Sequence, residues 1–143
     1  MEPGVRAPLA ADGAERKLIL VIDDEEPNRR LLARVLTRAG FEVAVSPSAE
    51  EGLDFLSRRR PDLVLMDIRL QKMDGLEATR RIKSDPALAS IPVVAVSAYA
   101  MTEDISRARE AGVSGYLTKP FRMKDIVSLA MSITSMKSPA HGR

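Results

Sequence analysis

The sequence predicts an α/β fold: a doubly wound (βα)5 three-layer sandwich, with helices on both faces of a parallel five-stranded sheet. Two observations carry this. Five short stretches are rich in Val, Ile and Leu, and most lack the polar alternation of a half-exposed strand, as strands buried on both faces should. Between them lie segments with apolar residues at helical spacing, and right-handed crossovers return such helices over the sheet.

The elements follow in order. "KLILVI" (17–22) is the first strand; Pro27 suits a first helical position before Leu31, Leu32, Val35, Leu36 and Ala39, and Gly40 suits the C-terminal cap. "FEVAVS" (41–46) is the second, and Ser48 with Glu51 has capping-box spacing ahead of Leu53 and Leu56. "DLVLMD" (62–67) is the third; "MDG" (73–75) then turns, with Asp74 as cap, into a helix carrying Leu76, Thr79 and Ile82. "IPVVAVS" (91–97) is the fourth, with Thr102 able to cap and Gly112 to end the helix of Ile105, Ala108 and Ala111. "SGYLTK" (114–119) is the fifth, before a helix carrying Met123, Ile126, Val127, Ala130, Met131 and Ile133, whose methionines read more as core than as a partner groove, with room for some at the surface. The expected domain spans 17–135, between a flexible N-terminal tail (1–16) and a C-terminal tail (136–143).

Composition narrows the function. At 143 residues with 45% hydrophobic positions, the chain can bury one substantial core but hardly two. A net charge of +2 and only 3% aromatic residues give no sustained basic, aromatic-interleaved surface, so direct nucleic-acid binding is not expected. No apolar run is long enough to span a bilayer, and no membrane association is expected. The absence of cysteine removes disulfides, thiolate metal sites and cysteine nucleophiles, and the cytoplasm is the expected location.

Such sheets carry their functional groups beyond the carboxyl ends of the strands, near the point where strand order reverses. Here the first strand ends in Asp23 and Asp24, the third in Asp67, the fourth in Ser97 and the fifth in Lys119. With the first and third strands adjacent, three carboxylates share one pocket, and any two of them about 5 Å apart repel by about 3 kcal/mol at an effective dielectric of about 20. A cation belongs there. The only histidine is His141, so the ligands are all oxygens and favour a hard ion, Mg²⁺ or Mn²⁺ in its place. Flanked by that ion and Lys119, Asp67 is set up as a nucleophile toward phosphorus, and "LVLM" anchors it at the edge of the core.

"LILVIDDEEPNRRLL", "PDLVLMDIRL", "MDG", "IPVVAVSAYA" and "GYLTKPF", in this order and spacing, resemble the receiver domain of CheY-like response regulators in two-component signal transduction. The resemblance covers roughly residues 17–135. It implies a flavodoxin-like sheet in the order 2-1-3-4-5 and Mg²⁺-dependent phosphorylation of Asp67 by a phosphohistidine on a sensor histidine kinase or a histidine phosphotransfer protein. It assigns Asp24 as a direct metal ligand, Asp23 as acting mainly through a metal-bound water, the Arg69 backbone carbonyl as a further ligand, and Ser97 and Lys119 as partners of the phosphoryl group. It also implies a switch. Ser97 moves toward the phosphoryl group and Tyr116 rotates into the vacated space, altering the face of the fourth helix, fifth strand and fifth helix for a downstream effector protein. Driving that face from 1:99 to 99:1 needs about 5.5 kcal/mol between states.

The family usually has proline where this chain has Gln71, and the bulky Arg69 and Tyr99 overlook the pocket, where they are expected to tune dephosphorylation. The expected protein is thus a stand-alone phosphoacceptor switch, not an enzyme acting on other substrates. Two alternatives remain. One is a small aspartate-nucleophile phosphatase or phosphotransferase, disfavoured because Arg69 stands where a second acid is usual. The other is a phosphorylation-independent adaptor, disfavoured because unused like charges are costly.

Overall fold

The computed structural model describes residues 16–69, 74–98 and 101–142. Ten elements alternate: β1 Leu18–Ile22, α1 Glu26–Arg38, β2 Glu42–Ser46, α2 Ala49–Leu56, β3 Leu63–Asp67, α3 Gly75–Ser84, β4 Val93–Ser97, α4 Thr102–Ala111, β5 Gly115–Thr118 and α5 Met123–Gly142. The strands form one sheet in the order β2-β1-β3-β4-β5, and every pairing is parallel. Order reverses between β1 and β3, and the predicted doubly wound fold is the observed one.

Side-chain alternation explains the three layers. Ile19 and Val21 of β1, Leu63 and Leu65 of β3, and Val94 and Val96 of β4 pack on one face with Leu32 and Leu36 of α1 and Ile126 and Ala130 of α5. Their neighbours Leu20, Ile22, Val64, Met66 and Val93 point the other way, against Ala49 and Leu56 of α2 and Ala78 and Ile82 of α3. β1, β3 and β4 are buried at every position. Each large side chain so buried is worth about 1.5–3 kcal/mol, which holds the ends of these strands in fixed relation.

Several local signals act as the sequence implies. The Ser48 hydroxyl accepts the Glu51 N–H, the Asp74 carboxylate accepts the Glu77 N–H, and Gly112 ends α4 at φ +111°. Others differ. Glu25 holds the N-cap of α1 and Pro27 falls in its second position, not its first. Met101, not Thr102, is the N-cap of α4; Thr102 already lies in the helix, where Glu103 and Asp104 complement the dipole of the first turn. Met123 and Met131 are 57% and 46% exposed rather than core, because the buried stripe of α5 is narrower than its apolar periodicity and centres on Ile126 and Ala130. α5 continues as backbone helix to Gly142, past the expected boundary at residue 135.

Candidate functional site

β1 and β3 are neighbours, with Ile22 opposite Met66, so the residues that follow them emerge side by side. Carboxylate oxygens of Asp23, Asp24 and Asp67 all lie within 4.8 Å of one another. Asp23 and Asp67 are buried, and Asp24 is half-buried. The Lys119 ammonium, delivered by the end of β5, stands 3.7 Å from Asp23 Oδ2 and 3.6 Å from Asp67 Oδ2. One ammonium against three carboxylates leaves two negative charges, which suits a divalent cation, and the all-oxygen donor set suits Mg²⁺ or Mn²⁺.

Each acid is held differently. Asp67 ends the fully buried "LVLMD" strand, and its Oδ1 accepts the Arg69 N–H at 2.9 Å. Asp23 Oδ1 accepts the Glu25 N–H at 2.8 Å, its own N–H donates to the Ser46 carbonyl, and its carbonyl accepts from the Arg29 guanidinium at 2.8 Å. Asp24 has no side-chain hydrogen bond or ion pair among the described residues, which leaves both of its oxygens for a ligand.

Burial is the largest influence on the Asp67 carboxyl and pushes its pKa above the ordinary carboxylate value; the Arg69 N–H and Lys119 pull it down, and Asp23 and Asp24 push it up again. A raised native pKa means that, between the unfolded and native values, the native state holds the proton the unfolded chain has released. Stability contributed by this group is therefore lost as pH rises through the native pKa and is regained on acidification. In the metal-free protein, Asp67→Asn is expected to raise stability at neutral pH by on the order of 1 kcal/mol. Urea unfolding across a pH series is expected to find the gain shrinking toward acid.

Ser97 ends β4, 1% exposed, and its carbonyl accepts the Lys119 N–H at 2.8 Å, tying the β4 and β5 ends together. Ser97, Tyr116, Arg69, Asp104 and Arg107 line a common cavity of about 260 Å³. The Arg69 side chain is exposed. Tyr99 and Gln71 lie outside the described residues. A second cavity, about 450 Å³, joins Asp23 and Lys119 to Asn28, Leu31 and Leu32 of α1 and to Phe121. Asp23 and Lys119 thus border an apolar-walled opening.

Gly75 escaped the sequence reading, which treated "MDG" only as turn and cap. Its N–H donates to the Ile68 carbonyl at 2.9 Å, and a Cβ there would collide with the Asp67 carbonyl oxygen and lie 2.7 Å from Ile68 Cα. The first turn of α3 rests directly on the backbone of the candidate nucleophile. The obstructing atoms are main chain and cannot swing aside, so Gly75→Ala is expected to cost about 1–3 kcal/mol in urea unfolding and to weaken Mn²⁺ binding.

Comparison with known proteins bears on this site. A family model described as the response regulator receiver domain matches residues 19–131. The polar-differentiation response regulator DivK of Brucella anthropi is 37% identical over 122 residues, covering 85% of this chain and 94% of that protein. Among solved structures, a CheY-like receiver domain protein from Methanospirillum hungatei JF-1 is 25% identical with a TM-score of 0.82, covering 88% of this chain and 99% of that one. The Mn²⁺-bound form of response regulator Rcp1 is 31% identical with a TM-score of 0.70, covering 83% of this chain and 92% of that one.

Proposed function

The chain belongs to the response regulator receiver family of two-component signal transduction, and from that premise we propose that Asp67 accepts a phosphoryl group from a phosphohistidine on a partner protein. The observation that carries this reading is the convergence of Asp23, Asp24 and Asp67 within 4.8 Å, with Lys119 against two of them. An Asp67 oxygen attacks phosphorus, the phosphorus–nitrogen bond breaks, the imidazole departs with its electron pair and is protonated, and Asp67 carries an acyl phosphate.

Asp24 and Asp67 would hold the divalent ion, with the Arg69 carbonyl as a further ligand and Asp23 in a supporting, less direct role. The ion, when bound, neutralises charge on the transferring phosphoryl oxygens. Lys119 does the same from the β5 side, and the Arg69 N–H fixes the Asp67 carboxylate by its Oδ1. Mn²⁺ in the related Rcp1 structure supports the choice of ion.

The phosphoryl group then draws on the Ser97 hydroxyl, and Tyr116 follows, changing the α4-β5-α5 face that a downstream effector protein reads. Support comes from the cavity that Ser97 and Tyr116 share. Arg69, at the rim of that cavity, and Tyr99 tune the lifetime of the acyl phosphate. Residues 17–135 form the working domain, and the protein acts in the cytoplasm; no helix among the described residues is long and apolar enough to cross a membrane. Its chemistry is confined to its own phosphorylation and dephosphorylation.

The test is phosphotransfer from purified, radiolabelled, autophosphorylated histidine kinases of the source organism. Label is expected to move to this chain from at least one kinase, directly or through a histidine phosphotransfer protein, with Mg²⁺ present and not after chelation. Transfer from none of them, together with multiple turnover of a generic phosphate ester, would instead favour the phosphatase alternative.

A further inference from the structure

We infer that Arg29 is a positioning residue for the cation site, clamping the corner of chain that carries two of its three carboxylates; this rests on the cup being a divalent-ion site, as proposed above. β1 ends at Ile22 and α1 begins at Glu26, so Asp23, Asp24 and Glu25 lie between two regular elements. The Asp23 N–H still reaches the Ser46 carbonyl of β2, as a last rung of the sheet. Its carbonyl has passed the last β1–β3 register pair, Ile22 with Met66, and is taken up by Arg29 Nη1 at 2.8 Å. That carbonyl belongs to the peptide linking Asp23 to Asp24.

Asp24 has no side-chain partner among the described residues, so its carboxylate is aimed by its backbone alone. The guanidinium that fixes the 23–24 peptide therefore aims Asp24, while the Glu25 N–H on Asp23 Oδ1 fixes the other acid. Arg29 is itself anchored one turn into α1, where its N–H donates to the Glu25 carbonyl at 3.1 Å. Helix and metal corner are thus joined by one side chain.

Two roles for Arg29 predict opposite signs. If its charge alone mattered, removing a cation near the cup would tighten divalent binding. If it positions the corner, removal weakens binding, and groups that orient metal ligands typically contribute about 10- to 100-fold. Mn²⁺ affinity by electron paramagnetic resonance decides between them, after metal-free thermal unfolding shows each variant folded at the assay temperature. Arg29→Ala is expected to bind Mn²⁺ about tenfold more weakly, and Arg29→Lys, which keeps a donor and the charge, to recover much of the loss. Arg30→Ala removes the same charge from a neighbouring, 69% exposed side chain paired with Glu26, and is expected to stay within about twofold. In the metal-free protein, Glu25 amide exchange is expected to accelerate in Arg29→Ala, a readout that needs neither metal nor phosphorylation.

Unchanged or tighter Mn²⁺ binding in Arg29→Ala overturns the inference, as does an equal loss in Arg30→Ala or no recovery in Arg29→Lys. Failure of the wild-type protein to bind Mn²⁺ is a different result and removes the cation-site reading beneath it.

Discussion

Asp24→Ala is expected to lower divalent-ion affinity by at least about 100-fold, or ~2.7 kcal/mol, and to abolish phosphorylation at millimolar Mg²⁺. Of the three acids, Asp23 has one oxygen occupied by the Glu25 N–H and the other facing Lys119, and Asp67 has one held by Arg69 and the other facing the same ammonium. Asp24 alone has neither oxygen engaged by the described residues. It is the ligand the fold leaves ready, and without it the two remaining acids are half compensated by Lys119. The same substitution removes like-charge repulsion, so the metal-free variant is expected to be at least as stable as the wild type. Mn²⁺ titration and urea unfolding, run side by side, check the two opposed signs; a parallel loss of stability and affinity would mean that Asp24 holds the corner together and does not serve the ion.

Lys119→Ala is expected to separate binding from chemistry. The ammonium lies against Asp67 Oδ2 and Asp23 Oδ2, on the side of the cup supplied by β5. A fixed cation beside oxygens that gain charge during transfer is worth about 10²–10³ in rate when removed. The rate of phosphorylation by a small phosphodonor at saturating Mg²⁺ is expected to fall by about that factor. Mn²⁺ affinity, by contrast, is expected to hold or rise, because the ion then faces three carboxylates with no competing ammonium. The metal-free variant should be less stable than the wild type for the same reason.

Much of this was legible in the sequence because it rests on burial. "LILVI", "LVLM" and "VVAV" are apolar on both faces, as strands covered on both sides of a parallel sheet are, and their ends deliver Asp23, Asp67 and Ser97 to one edge by topology alone. Ser48 and Asp74 were legible because their side chains bond to an amide three residues on, a local rule. What escaped depends on contacts that no local rule encodes. Gly75 matters through the backbone of Asp67 and Ile68, which lies against it only in the folded chain. Arg29 reaches back six residues around a corner, outside both helical and strand periodicity. Met123 and Met131 fit the helical spacing of their neighbours yet face outward, because spacing gives the angle of a stripe and not its width.

The central claim is that the cup formed by Asp23, Asp24, Asp67 and Lys119 puts phosphorus on one oxygen of one side chain. Intact mass after incubation with acetyl phosphate and Mg²⁺ tests it most directly, wild type beside Asp67→Asn. The wild-type chain should gain the mass of a single phosphoryl group, lost again on mild alkaline treatment, and the variant should gain nothing. Equal incorporation into both proteins, or none into the wild type while its Mn²⁺ binding is intact, would contradict the account.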